Sequence, residues 1–400
     1  MKYILILLFS FFLFNSVKSQ PWIQLPDYLG TERDDGISFV INKKAYCITG
    51  LEVGWQCTSN GFVFDGSSET WSNMTSLPIG KERQYATGFS HNNKGYIFGG
   101  VNCSSACLDD FWEYNPITNS WTSLPNIPSL GRAGMSNFII KNKVYIVGGR
   151  LTDGSVSKEV WEYDFLTHLW VQKNDLPFTG MWRGSAFSID TIGYVCMGLN
   201  NSSSYNHSIH KYNYVIDNWT KISNIHLPDL IYTGTAICNK KACLYGGLDS
   251  LNNITNSLYV FNPLDSSVSI NLGIPTFARK GGMAFSINDI FYLTTGVTNS
   301  FRTKETWKNT SLVGMKESLI SNTLDIYPNP NNGSFALRFN DFKSEEIEIN
   351  IINVDGKIVY KNQITHSLTQ FNVDLKNGIY FIKIIGIKNK EILTKKIVIN

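Results

Sequence analysis

The chain has 400 residues, with 35 Lys and Arg against 32 Asp and Glu, so its formal net charge is only +3. This balance lacks the basic excess of a nucleic-acid-binding protein, and the sequence has no charged amphipathic helix that would lie on a membrane. Hydrophobic residues make up 43% of the chain and aromatic residues 13%, which is enough for a sizeable core.

The first 19 residues have the features of a secretory signal peptide. Lys2 precedes a largely apolar run of twelve residues, Tyr3–Phe14, and Val17 and Ser19 occupy positions −3 and −1 of a cleavage site. The run is too short to favour a transmembrane segment, and no other segment approaches the required length. The sequence therefore predicts a secreted chain that begins at Gln20.

A glycine then recurs at an almost fixed interval through the next 290 residues or so. The gaps are 50, 49, 49, 49 and 49 residues, at Gly50, Gly100, Gly149, Gly198, Gly247 and Gly296. A tryptophan keeps the same interval at Trp22, Trp71, Trp121, Trp170 and Trp219. Strand-length apolar runs separated by Asn, Asp, Gly and Lys predict four short strands in each unit.

This pattern resembles the kelch repeat, in which an apolar run and a double glycine precede a W-x-Y-like strand, a Trp and a Pro. The double glycine is complete at Gly99-Gly100, Gly148-Gly149 and Gly246-Gly247. The first, fourth and sixth units have Thr49, Met197 and Thr295 at its first position. The resemblance implies four-stranded propeller blades over residues 20–308.

The sixth unit ends after Trp307, before a fourth strand. The segment 21–26, PWIQLP, looks like a fourth strand that lacks the first three, one period before Trp71. Adding it to the sixth unit completes six blades and leaves no long unpaired edge. The predicted fold is therefore all-β: a six-bladed kelch propeller followed by a small C-terminal β-sandwich.

That sandwich is predicted at residues 324–400, after a polar linker at 309–323, and contains seven strand-like runs. It resembles the type A C-terminal sorting domain of the type IX secretion system. The matching residues include Tyr327, Pro328, Asn329, Pro330, Gly333, the Asp355-Gly356-Lys357 turn, Gly378 and Tyr380. The resemblance implies the type IX machinery as a partner, and export across the outer membrane of a Gram-negative bacterium via the periplasm. An adhesive or spacing sandwich is the alternative.

Seven cysteines in a secreted chain indicate disulfides. The candidate pairs are Cys47 with Cys57, Cys103 with Cys107, and Cys238 with Cys243. Cys196 is expected to be buried and free. The six histidines are scattered and no CxxC is present, so the sequence predicts no metal site and no cofactor.

An arginine precedes the first strand in most units, at Arg33, Arg83, Arg132, Arg183 and Arg279, and Tyr232 takes this place in the fifth. Kelch propellers bring these loops together with those between second and third strands. The candidate binding residues are Trp55, Arg83, Tyr85, Arg132, Trp182, Arg183, Tyr232 and Arg279. The arginines have two equally weighted interpretations, as ligand-binding residues or as residues that order the loops.

No catalytic sequence motif is present. The sequence therefore favours a secreted or cell-surface module that binds an unidentified protein or glycan, or mediates adhesion. The alternative is a propeller-type carbohydrate-active enzyme such as a sugar mutarotase or epimerase, which needs little more than a polar pocket with an acid and a base.

Overall fold

The computed structural model describes residues 21–223, 225, 227–311, 324–339, 347–354, 357–364, 366, 368–386 and 392–400, in two compact units divided between Val313 and Gly314. The predicted signal peptide at 1–19 lies outside the described residues, as do most of the predicted linker and Asp355-Gly356. Within the described residues no helix is long and apolar enough to cross a membrane.

The first unit contains six four-stranded antiparallel sheets within the described part of the chain. The strands of each sheet are given from the inner to the outer strand. The first sheet is Ile37–Ile41, Lys44–Ile48, Gly61–Asp65 and Thr70–Asn73. The second is Thr87–His91, Lys94–Phe98, Phe111–Asn115 and Ser120–Leu124, and the third is Ser136–Ile140, Lys143–Val147, Val160–Asp164 and Leu169–Lys173. The fourth is Ser185–Ile189, Ile192–Cys196, His210–Asn213 and Asn218–Lys221, and the fifth is Gly234–Cys238, Lys241–Tyr245, Ser257–Asn262 and Ser267–Leu272.

The sixth sheet joins the two ends of this unit. Its strands are Met283–Ile287, Ile290–Thr294, Thr306–Asn309 and, outermost, Trp22–Leu25. Trp22 lies opposite Asn309, and the Thr310 amide donates a hydrogen bond to the carbonyl oxygen of Pro21 at 2.7 Å. Strand pairing thus continues past residue 308, where the sequence places the start of the linker.

The six sheets surround a central axis, because each inner strand contacts the inner strand of the next sheet and the sixth contacts the first. We call them blades 1 to 6. In every blade except the fifth, an outer-strand tryptophan bonds to the blade before it: the Trp71 indole donates to the carbonyl of Pro26, and Trp121 donates to that of Thr75. Trp22 makes the corresponding bond to Leu272 across the closure, at 2.8 Å.

One end of the propeller carries the loops that join second to third strands and that lead from each outer strand to the next inner strand. These loops pair with each other in short strands, which in blade 1 are Arg33–Asp34, Leu51–Glu52 and Gln56–Cys57. Further pairs are Arg132–Ala133 with Arg150–Leu151 and Leu230–Ile231 with Leu248–Asp249. We call this end the loop face.

The described part of the second unit forms two sheets. One contains Leu324–Tyr327, Ser334–Phe339 and Leu368–Asn372, and the other contains Ile358–Ile364, Ile347–Asn353, Gly378–Gly386 and Ile392–Ile399. The buried side chains of this unit include Phe335, Ile349, Ile382 and Ile397. Asn331 links the Y-P-N-P segment to the last strand, because its amide donates to the carbonyl of Val398 at 3.0 Å.

The disulfide pairing predicted from the sequence is wrong. The structure joins Cys57 to Cys103, whereas Cys47, Cys107, Cys196, Cys238 and Cys243 are free. Cys57 and Cys103 lie in the loops of adjacent blades, so the disulfide links two neighbours on the loop face. Pairs within one loop were expected because the sequence shows only local proximity.

The rejected pairs have separate structural reasons. Cys47 is fully buried in the second strand of blade 1, in an apolar cluster with Tyr28, Phe64 and Tyr292. The Cys107 Sγ lies 3.5 Å from the carbonyl oxygen of Arg150, in the next blade. Cys238 pairs with Lys241, and Ala236 pairs with Cys243, so the two cysteines are diagonal neighbours and their thiols are hydrogen-bonded without a covalent bond.

Cys107 occupies the same place in its loop as Cys57, and Thr152 of blade 3 stands where Cys103 stands in blade 2. The Cys107 thiol already contacts the Thr152 side chain. Thr152→Cys is therefore expected to form a second disulfide to Cys107 and to raise stability by up to about 4 kcal/mol, the chain-entropy value for a loop of this length. Denaturant unfolding with and without reductant measures the gain. A free thiol at both positions after oxidation would contradict the prediction.

Candidate functional site

Four of the predicted arginines do form one structural column, and its true members are Arg33, Arg83, Arg132 and Arg279. All four are buried, with exposed fractions of 0–1%. Each donates from Nη1 to a backbone carbonyl 16 residues later in the chain, for example Arg83 to Gly99 at 3.0 Å. Each also pairs with a carboxylate: Glu52, Asp110, Glu159 and Glu305, respectively.

This arrangement supports the loop-ordering interpretation for Arg83, Arg132 and Arg279. Their guanidinium groups are buried and paired with carboxylates, so they leave no surface for a ligand. Breaking such a pair would leave a buried charge without its partner, which is costly. These three residues are therefore placed beneath the loop face rather than on it.

Arg183 and Tyr232 do not belong to this column. Their assignment to it from the sequence is wrong by two residues in each repeat. Met181 and Leu230 occupy the column in blades 4 and 5, because their carbonyls accept from Gly149 and Gly198 as Arg83 does from Gly50. The spacing shows the error, because Arg132 and Arg183 are 51 residues apart, whereas the repeat period is 49 or 50 residues.

Arg183 and Tyr232 belong instead to a ring of six residues around the axis, which we call the axial ring. Its members are Asp35, Tyr85, Gly134, Arg183, Tyr232 and Gly281. Each backbone amide donates to the carbonyl of the preceding member, and Asp35 donates to Gly281, so the ring closes with N···O distances of 2.7–3.2 Å. All six have φ between +55° and +64°.

The left-handed backbone of the axial ring costs energy at its four non-glycine positions, since side chains disfavour positive φ. The closed hydrogen-bond circuit holds them in that conformation. Gly134 leaves room for a neighbour, because a Cβ there would lie 2.7 Å from the Trp182 ring. The ring therefore sets the positions of the Asp35, Tyr85, Arg183 and Tyr232 side chains on a rigid frame.

These side chains converge near the axis at the loop-face end of the propeller. The Arg183 Cζ lies 3.8 Å from the centroid of the Trp182 ring, 3.9 Å from that of Tyr232 and 4.2 Å from that of Tyr85. Such cation–π contacts fix the plane of the guanidinium. We call Asp35, Tyr85, Trp182, Arg183 and Tyr232 the axial cluster. An axial cavity of about 450 Å³ lies among the inner strands, and its lining includes no residue of the axial cluster.

Asp35 is the buried acid of the axial cluster. Burial raises the pKa of its carboxyl well above the usual range, and the adjacent Asp34 carboxylate raises it further; Arg183 and a hydrogen bond from Tyr85 oppose this. Asp34 itself accepts a hydrogen bond from Arg302 Nε at 2.5 Å. Burial therefore favours the protonated form of Asp35, beside the Asp34–Arg302 ion pair.

The structure thus brings together Tyr85, Trp182, Arg183 and Tyr232 of the predicted candidates, and separates the others from them. Trp55 is on the loop face, 76% exposed, with its ring centroid 5.2 Å from the Cζ of Arg302. Sequence reasoning missed Asp35, which the 49–50-residue interval back from Tyr85 would have identified. It also missed Arg150, whose Cζ lies 5.5 Å from the Trp182 centroid.

Six blades in register, buried arginine columns and interblade tryptophans define a kelch-type β-propeller. The family model described as KLHDC2/KLHL20/DRC7 Kelch-repeats domain matches residues 36–229, and the model of the secretion system C-terminal sorting domain matches residues 325–400. The chain therefore contains a kelch-repeat region and a C-terminal sorting domain of the type IX secretion system, as predicted from the sequence.

Solved structures agree on the fold of the first unit. The chain titled "Structure of YjhT" superposes with a TM-score of 0.59 at 18% identity, covering 70% of this chain and 96% of that chain. At this identity the likeness shows the fold alone. A search of curated proteins found no match.

Proposed function

We propose that this protein is a secreted binding module whose loop face binds an external protein or glycan. The observation that carries the proposal is the axial cluster: a largely buried arginine and three aromatic rings converge near the axis at the loop face. Their positions are fixed by a rigid hydrogen-bonded ring. Preformed pockets with aromatic walls and few polar groups are typical of ligand sites.

The sorting domain points to export, to the cell surface or to the medium. We further propose that the chain enters the periplasm of a Gram-negative bacterium through its signal peptide. The type IX machinery then recognises the tail at residues 324–400 and moves the folded propeller, residues 20–308, across the outer membrane. A propeller delivered outside the cell would present its loop face to extracellular ligands.

Binding arrays of glycans and peptides, probed with the full secreted chain, test the proposed function. We expect at least one class to bind, and Trp182→Ala to weaken that binding by about 10-fold or more, as for a central aromatic contact. The matched control is Leu166→Ala, which truncates an exposed side chain in a turn at the opposite end of the blades. Equal binding by the parent protein and Trp182→Ala, with unchanged thermal stability, would contradict the use of this face.

A further inference from the structure

We propose that the axial cluster is an anion site that binds the carboxylate of an acidic sugar, with Arg183 as the anchoring cation and Trp182 as a stacking surface. This inference rests on the proposed function and names its ligand class. It follows from the charges on the loop face, from the geometry of the guanidinium, and from the aromatic rings around it.

The arginines of the chain divide into two groups. There are eight, and six of them form ion pairs with carboxylates: Arg33, Arg83, Arg132, Arg279, Arg302 and Arg338. The other two, Arg150 and Arg183, make no side-chain hydrogen bond or ion pair with the part of the chain that the structure describes. Both contact the same indole, that of Trp182. The two arginines without an acidic partner are thus neighbours.

The Arg183 guanidinium is fixed in an orientation that suits a planar hydrogen-bond acceptor. Aromatic rings cover its faces, and its Nε is buried without a hydrogen-bond partner. Its terminal nitrogens are the groups left for an incoming ligand. Two parallel N–H donors in a fixed plane match the two oxygens of a carboxylate, which is the geometry for which arginine is better suited than lysine.

The local charge favours an anion. Burial lowers the pKa of the Arg183 guanidinium and repulsion by Arg150 adds to this, whereas Tyr85, Asp35 and Asp34 oppose it. Lys280 adds a third cation, its Nζ 4.9 Å from the Tyr232 ring centroid. Asp34 is paired with Arg302, and burial disfavours the charged form of Asp35. A bound carboxylate would supply the missing counter-charge.

A sugar fits the axial cluster better than an extended peptide chain. The backbone amides and carbonyls of the axial ring are all paired with one another, so they offer no free groups to which an extended peptide could add as a further strand. The partly exposed Trp182 and Tyr232 supply flat apolar surfaces beside the cation.

Calorimetric titration of the full secreted chain with glucuronate, and with its uncharged methyl ester, tests the proposal. We expect saturable binding of glucuronate and binding of the ester weaker by about 10- to 100-fold, the value of one charge-assisted contact. Arg183→Leu should reduce glucuronate affinity by a similar factor. The matched control Lys240→Leu removes one charge from a turn at the opposite end of the blades, and should leave the affinity unchanged.

The pH profile separates anion binding from a merely structural role of Arg183. An ionised Asp35 would compete with the ligand for Arg183, so glucuronate affinity should fall as the pH rises through the pKa of Asp35. The charged or titratable groups facing Asp35 are Asp34, Tyr85 and Arg183, with Arg302 beyond Asp34. The probe stays ionised above about pH 5, and Asp35→Asn should remove the pH step.

The outcomes distinguish the ligand class from the proposed function. If arrays show binding that depends on Trp182, but glucuronate and its ester bind equally or neither binds, the anion site is wrong while the binding module stands. Binding of an acidic peptide but of no acidic sugar would also overturn the proposal. If Trp182→Ala alters no binding, the proposed function fails, and this inference fails with it.

Discussion

Deleting residues 20–26 is expected to lower the free energy of unfolding of the propeller by more than about 4 kcal/mol. The deletion removes the outer strand of blade 6 and the Trp22 side chain, which is only 3% exposed. It also removes the indole hydrogen bond to Leu272 and the edge-on contacts of Trp22 with Tyr245 and Phe291. The third strand of blade 6 would then become an unpaired edge.

Two point substitutions within the strand sharpen this test. Trp22→Ala should cost about 3–5 kcal/mol, because it leaves a large cavity between blades 5 and 6. Ile23→Ala on the same strand should cost little, because the Ile23 side chain is 45% exposed. Chemical denaturation of the full chain, followed through the propeller transition, gives both values. Similar stabilities for Trp22→Ala and Ile23→Ala would show that the closure contributes no more than an exposed edge.

The repeat and its closure could be predicted because they depend on backbone spacing and large buried side chains. Every blade must place a tryptophan or its equivalent against the previous blade, so the column at Trp71, Trp121, Trp170 and Trp219 appears directly in the sequence. The double-glycine position tolerates exceptions: Thr49, Met197 and Thr295 adopt φ of +65°, +62° and +59° there. The fold holds these residues in a conformation their side chains disfavour.

The candidate site was only half predictable, because the axial ring has no common residue type. Its six members share a left-handed backbone conformation and a closed ring of backbone hydrogen bonds, and neither feature can be recognised from residue types in the sequence. They are Asp35, Tyr85, Gly134, Arg183, Tyr232 and Gly281. Arg183 was assigned to the wrong column because it resembles Arg132 chemically, although it lies two residues out of phase. The shared residue type suggested the wrong position, whereas counting 49 residues from Arg132 would have led to Met181.

The disulfide illustrates the same limit. Cys57 and Cys103 are 46 residues apart, just under one period. Positions one period apart occupy neighbouring blades, so this separation places them in adjacent loops. The prediction of Cys103 with Cys107 relied on their closeness within one loop. In a repeat fold, a separation of about one period is the better guide to which cysteines are neighbours.

The buried arginine column yields the second large effect: Arg132→Met is expected to destabilise the propeller by about 3–5 kcal/mol. Arg132 is fully buried and donates to Glu159 Oε2 at 2.6 Å and to the Gly148 carbonyl at 3.3 Å. Without the guanidinium, the Glu159 carboxylate loses its cation and the Gly148 carbonyl loses a donor. Thermal unfolding should show the loss as a fall of about 6–20 °C.

The chain itself contains the compensating change. Blade 4 has Met181 and Ser208 at the positions of Arg132 and Glu159, and blade 5 has Leu230 and Ser257. An apolar residue with a serine therefore fits the same backbone. The double variant Arg132→Met, Glu159→Ser should recover at least half of the loss, because no unpaired carboxylate remains; the Trp161 indole, which donates to Glu159 at 2.8 Å, limits full recovery. A double variant no more stable than Arg132→Met would show that the carbonyl contact, rather than the ion pair, carries the stabilisation.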